Sequence, residues 1–174
     1  MNRWRMMGWG AAAGLLALPL AAMQVTREVD WGVEDFLVFG TMILAAGVAL
    51  ELALRASGNP AYRLGAAVAV AGAFLLVWAN LAVGFIGEPA DPLNLIFAGV
   101  LAVGIGAAGA ARFRAAGMAV AMAATAGAQA LTALAMIGHE PRLFAIDGAF
   151  VAIWLVSAAL FRKAARDEGV ARLA

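Results

Sequence analysis

Polar side chains are scarce in this chain, and the few that fall inside its apolar runs mark where chemistry could sit. Thr125, Gln129 and Thr132 follow one another at spacings of four and three, so a helix would carry all three on one face. Met118 and Met122 extend that face in one direction and Met136 in the other. A polar stripe along an apolar helix could wall a pathway for a small solute or an ion. The plainer reading is packing between helices, with each threonine bonded to its own i−4 carbonyl. Asn80 lies inside another apolar run, seven residues before Gly87, and its amide must seek a partner on a different helix. Gly84, one turn on, would let that helix approach closely. Asp147 stands five residues into the last apolar run and is expected at the rim of the membrane, capping a loop or serving a site. Trp154 falls two turns along the same face, and Trp78 precedes Asn80 by two residues. These two are the deep aromatic residues able to pack near a cavity.

Other chemistries fail on residue type. His139 is the only histidine and cysteine is absent, so a two-histidine haem, a three-histidine metal site and thiol chemistry lie beyond a single chain. His139-Glu140 opens like a zinc-protease motif, but no second histidine follows. Glu28, Asp30, Glu34 and Asp35 lack the ordered ligand spacing of a calcium loop. No phosphate loop, dinucleotide fingerprint or nucleophile elbow occurs. The basic residues form no groove-sized cluster, and no nucleic-acid partner is expected. No cofactor is predicted. A bound lipid, pigment or quinone would leave no compact motif and stays compatible with the sequence.

The elements that must position these residues follow from composition. Of 174 residues, 65% are hydrophobic and only 13% charged, against about 25% charged in an ordinary soluble domain. The apolar residues come in six blocks: 4–23, 36–54, 64–87, 93–111, 117–138 and 143–161. A hydrocarbon core of ~30 Å needs about 20 helical residues, and each block approaches that length. The first block also resembles a signal peptide, but Leu20-Ala21-Ala22-Met23-Gln24 is a poor cleavage site, and a retained helix is expected. Abundant alanine favours helix, and no run alternates as a barrel strand must. The expected fold is an all-α polytopic bundle of six transmembrane helices, forming a single membrane domain. Its tail from Arg162 is expected to be polar and to lie outside the bilayer.

Charge sets an expected topology. With both ends in the cytoplasm, Arg3, Arg5, Arg55, Arg63, Arg112, Arg114, Arg162, Lys163, Arg166 and Arg172 all lie inside, and only Arg27 and Arg142 of the 12 basic residues lie outside. Short loops make this bias informative. Ile86-Gly87-Glu88-Pro89 resembles Ile137-Gly138-His139-Glu140-Pro141, a weak repeat compatible with three like-oriented helical hairpins. Gly10 with Gly14, Gly99, Gly104, Gly106 and Gly109, and Ala98 with Ala102 make small-residue faces for close helix contact. Trp4, Trp9, Trp31 and Phe161 are placed as anchors at the membrane surface. Glu51 and Arg55 have the spacing of an ordinary helical ion pair.

The run Trp78-x-Asn80-Leu81-Ala82-Val83-Gly84-x-Ile86-Gly87, followed by Glu88, Pro92, Asn94-Leu95 and then Arg112-Phe113-Arg114, resembles small uncharacterised multi-spanning membrane proteins of bacteria. The likeness covers roughly a quarter of the chain. It implies an inner-membrane location and brings no activity to any residue. The expected role is structural or accessory, binding a membrane protein or a lipid, with homo-oligomers among its partners. A small-solute or ion transporter built on Asn80, Thr125, Gln129, Thr132 and Asp147 is the alternative, and an enzyme comes third.

Overall fold

The computed structural model describes residues 3–88, 91–138 and 140–171. His139, Pro89, Arg172 and the side chains of Arg3, Trp4 and Arg5 therefore lie outside the described residues. Among the described residues, six helical spans are long and apolar enough to cross a membrane, the fourth and fifth counted with their adjoining 3₁₀ turns; their α-helices are α1 (Arg3–Val25), α2 (Val33–Ala56), α3 (Pro60–Ala82), α4 (Leu95–Ala110), α5 (Ala115–Thr132) and α6 (Pro141–Ala171). Short 3₁₀ turns at Pro92–Asn94 and Ala133–Met136 lead into α4 and out of α5. No strand occurs among the described residues. The protein is an all-helical, multi-pass membrane bundle.

The chain divides into two compact units, Met1–Leu52 and Ala53–Ala174. In the first, α2 starts with half a capping box: Gly32 N donates to Asp35 Oδ2 at 2.8 Å. Trp31 makes edge contacts with Phe36 and Phe39. Gly40 and Gly47 of α2, seven residues apart, face Leu16 and Trp9 of α1, and a Cβ at Gly47 would stand 2.9 Å from the Trp9 ring. Trp9 is thus seated on a glycine of the neighbouring helix as well as lying near the chain's start. Gly10 and Gly14, expected as the close-packing face of α1, meet nothing within 4 Å. The glycines that admit the neighbouring helix are on α2, not on α1.

In the second unit α6 lies between α3 and α5, and α5 lies between α6 and α4. α3 and α4 touch much less, so the expected hairpin of the third and fourth helices is not a tightly packed pair. Asn59 starts α3: its Oδ1 accepts from Ala61 N at 2.8 Å and Tyr62 N at 3.3 Å, and Pro60 takes the first helical position. Gly65 and Gly72 form a shallow channel along α3. Trp154 and Phe161 of α6, also seven apart, fill it, and a Cβ at Gly72 would lie 2.7 Å from Ile153 and 3.3 Å from Trp154. Phe161, expected as a surface anchor, is wholly buried and meets Tyr62 edge-on at 5.0 Å. Ser157 lies between them on α6 and donates to Gly65 O at 2.8 Å.

Three expected boundaries move. α3 ends at Ala82, not at Gly87, because Gly84 takes φ +73° and its N–H bonds back to Ala79 O and Asn80 O. α5 gives way to a 3₁₀ turn after Thr132. α6 continues to Ala171 through the stretch expected as a polar tail. Its 31 residues span about 46 Å at ~1.5 Å each, well beyond a ~30 Å hydrocarbon core. On α4 only Gly104 is a contact glycine, with its Cβ position 2.9 Å from Thr125 Oγ1; Gly99, Gly106 and Gly109 meet nothing within 4 Å, and Ala98 and Ala102 are exposed.

Between α4 and α5 the chain turns through Arg112 and Phe113, both with positive φ. Tyr62 Oη donates to Phe113 O at 2.7 Å and ties this turn to the start of α3. Asn59 Nδ2 reaches Asp167 near the end of α6. Arg55, Arg63, Arg112, Arg114, Arg162, Lys163 and Arg166 therefore belong to one end of this unit, and Arg142 to the other.

Candidate functional site

Two buried amides organise the polar chemistry of the second unit. The first is Gln129, with no exposed surface. It sits on the face of α5 turned toward α6. Its Nε2 donates to Asp147 Oδ1 at 2.6 Å, and its Oε1 accepts from Trp154 Nε1 at 3.3 Å. Asp147 and Trp154 are seven residues apart on α6, so one side chain bridges two turns of the facing helix. Thr132 Oγ1 lies 2.8 Å from Asp147 Oδ1 and 2.6 Å from Gln129 O. Both partners are acceptors and the hydroxyl has one proton, so that proton is shared between them. Asp147 is 4% exposed. Of the two roles expected for it, loop cap or site residue, its contacts are not those of a loop cap: it faces into the bundle, held by neutral donors on α5. Arg142, its basic neighbour in sequence, pairs with Glu140 instead.

The expected stripe is real as geometry but divides in function. Thr125, Gln129 and Thr132 are all buried on one face. Thr125 donates to Ala121 O, its own i−4 carbonyl, at 2.9 Å, and packs on Gly104 of α4. It joins neither Gln129 nor Asp147. Met118, Met122 and Met136 continue the face and are buried in the core.

The second amide is Asn94, 6% exposed, which the sequence reading did not single out as a site. Its Oδ1 accepts from Phe85 N at 3.1 Å and Ile86 N at 2.9 Å, and its Nδ2 donates to Ile86 O at 3.0 Å and Glu88 O at 2.8 Å. All four bonds go to main chain. The segment after α3 folds back into the bundle, with Phe85 and Ile86 buried and Phe85 against Phe97 and Phe150. Non-helical backbone in an apolar setting must have its polar groups met by protein, and Asn94 does this. Asn80 belongs here rather than to the Gln129 cluster. Its Nδ2 donates to Asn94 O at 3.1 Å, so it does find a partner beyond its own helix. With α3 ending at Ala82, Asn80 is in the last turn and not two turns from the boundary. Gly84 ends the helix instead of admitting a neighbour. Trp78 is half-buried on α3, one to two turns from the close.

The signals for what was missed differ. Gly65 with Gly72 and Trp154 with Phe161 share a spacing of seven, which matches complementary faces on two helices. Ser157 follows Trp154 by three and shares its face. For Asn94 the only local cue is a polar residue just after Asp91-Pro92, the start of a turn; Asp91 Oδ1 accepts from Leu93 N at 2.9 Å.

The chain matches no protein-family model, no curated protein and no solved structure. The likeness to small bacterial membrane proteins therefore rests on the residues quoted for it.

Proposed function

We propose that this chain is an accessory protein of the bacterial inner membrane, with six spans and both ends in the cytoplasm, which binds a membrane protein or a lipid. One observation carries the reading. Three of the five polar residues that could have walled a pathway are hydrogen-bonded to one another, Gln129 to Asp147 and Thr132 to Asp147, with Trp154 on Gln129, and Asn80 and Thr125 bond elsewhere. Each such bond in a membrane protein contributes ~0.6–2 kcal/mol to helix association, which is the work of holding α5 to α6. The orientation draws on the arginines gathered at one end of the second unit. Crosslinking in native membranes tests the role. One reproducible protein or lipid adduct, or a homo-oligomer, is expected, and a monomer without adducts would count against it.

A second reading, transport of a small solute or ion, is favoured by Asp147 alone. A carboxyl inside a membrane helix is costly, and such groups commonly serve a translocation path. Asp147→Asn keeps an acceptor for Gln129 and Thr132, so it separates the two readings better than Gln129→Leu, which strands Trp154 and leaves Asp147 with Thr132 alone. Altered flux in vesicles with unchanged folding would favour transport. Absence of any flux with either protein would leave the accessory role.

A further inference from the structure

We propose that the basic end of the α5–α6 seam holds one anionic phospholipid, its phosphate on Arg114, Arg162 and Arg166 and an acyl chain along the alanine wall below them. This deepens the lipid half of the proposed role and rests on it. Two adjoining depressions, of about 380 and 580 Å³, share Ala116 and Ala165 and together form a furrow between the helices. Arg114 lines the first; Arg162 and Arg166, one turn apart on α6, line the second. All three are exposed, and none makes an ion pair or side-chain hydrogen bond among the described residues. Lys163, between them in sequence, differs: it is paired with Asp167 at 3.0 Å.

The furrow exists because its walls are small. Ala119, Val120 and Ala123 of α5 and Ala158 and Ala159 of α6 line it, with Leu155 at the end away from the arginines. Its depth runs from a charged mouth into an apolar slot, which is the shape of a headgroup joined to a chain. Arg114 precedes α5 without capping it through its side chain. The first-turn N–H groups of α5 thus add their partial positive charge to the mouth. Glu168 is the one carboxylate lining the furrow. Three guanidiniums against one carboxylate leave a net positive site, and guanidinium forks suit phosphate oxygens. Because α6 runs about 46 Å, its arginine turns extend to the headgroup level while Leu155 stays at the depth of the chains.

Native mass spectrometry of the full chain, released from nanodiscs of mixed phosphatidylglycerol and phosphatidylcholine, tests this. The wild type is expected to retain one phosphatidylglycerol. Arg162→Gln with Arg166→Gln should cut that retention about tenfold. Lys163→Gln, on the same helix and at the same level, should leave it unchanged. Ala123→Phe, which fills the slot and removes no charge, should also cut retention. Equal retention of phosphatidylcholine, or an equal loss in Lys163→Gln, would overturn the proposal in favour of general surface charge. A photo-crosslinker at Ala123 that captures protein and no lipid would overturn it in favour of a helix partner. That last outcome would leave the accessory role standing, so the two failures are distinct.

Discussion

Asn94 and Gln129 are both buried carboxamides in one apolar bundle, yet they stabilise different things. The Asn94 side chain spends all four of its bonds on main chain, within the segment 85–88. It replaces missing secondary structure. Gln129 spends its bonds on side chains of the next helix. It fixes how two complete helices face each other. A loop that folds into a low-dielectric interior has no alternative source of partners, whereas two helices already have their backbones satisfied. The first amide should therefore be indispensable to local structure, and the second should be adjustable at modest cost.

The sharpest break of this contrast is Asn94→Leu. It leaves two N–H donors and two carbonyls unmet in a buried loop, and about 4 kcal/mol or more of stability should be lost at ~1 kcal/mol or more per group. Unfolding in mixed detergent micelles, followed by circular dichroism, would measure it, with proteolysis near Gly87 as a local readout. Next is Gly72→Leu, which drives a side chain into Ile153 and Trp154; overpacking of this kind costs about 1–3 kcal/mol, and the Trp154 fluorescence should shift with it. Gln129→Leu follows, with an expected loss of about 1–2 kcal/mol. A double-mutant cycle with Asp147→Ala should return a coupling of roughly 0.6–1.7 kcal/mol, and a cycle with no coupling would remove the bridge from the account. Asn80→Leu gives up a single bond to Asn94 O and should cost only ~0.6 kcal/mol. Thr125→Ala should be smallest of all, since its hydroxyl bonds within its own helix. If Asn80→Leu proved as damaging as Asn94→Leu, the division between the two amides would fail.

Periodicity made part of this legible from residues alone. Six apolar blocks announced six spans, and spacings of four and three placed Thr125, Gln129 and Thr132 on one face. Trp154 was expected on the face of Asp147, and Gln129 joins them. The meeting itself was not readable, because no periodic rule says which face of α6 turns to which face of α5. Asn94 escaped for a deeper reason. Its partners lie in an irregular loop, and only regular structure leaves a period in sequence. The run Val83–Gly87 read as helix because it is apolar, but Gly84 stops it. The extension of α6 was hidden by polarity, although Ala164 is buried there and Lys163 with Asp167 has helical spacing. Among the glycines, composition named too many. Which of them admit a neighbour depends on helix order in space.

The channel of Gly65 and Gly72 has a consequence for how the protein is made. Its filling, Trp154 and Phe161, is translated some ninety residues after it. During synthesis α3 must enter the bilayer with that side bare, met only by lipid or by the insertion machinery. Neither α4 nor α5 can substitute, since α4 scarcely touches α3 and the bulky aromatic pair is on the last helix. Assembly of the second unit is thus timed by its final span. A ribosome stalled before Phe150 would leave α4 and α5 able to pack on one another but α3 inserted without its partner, exposed to membrane quality-control proteases.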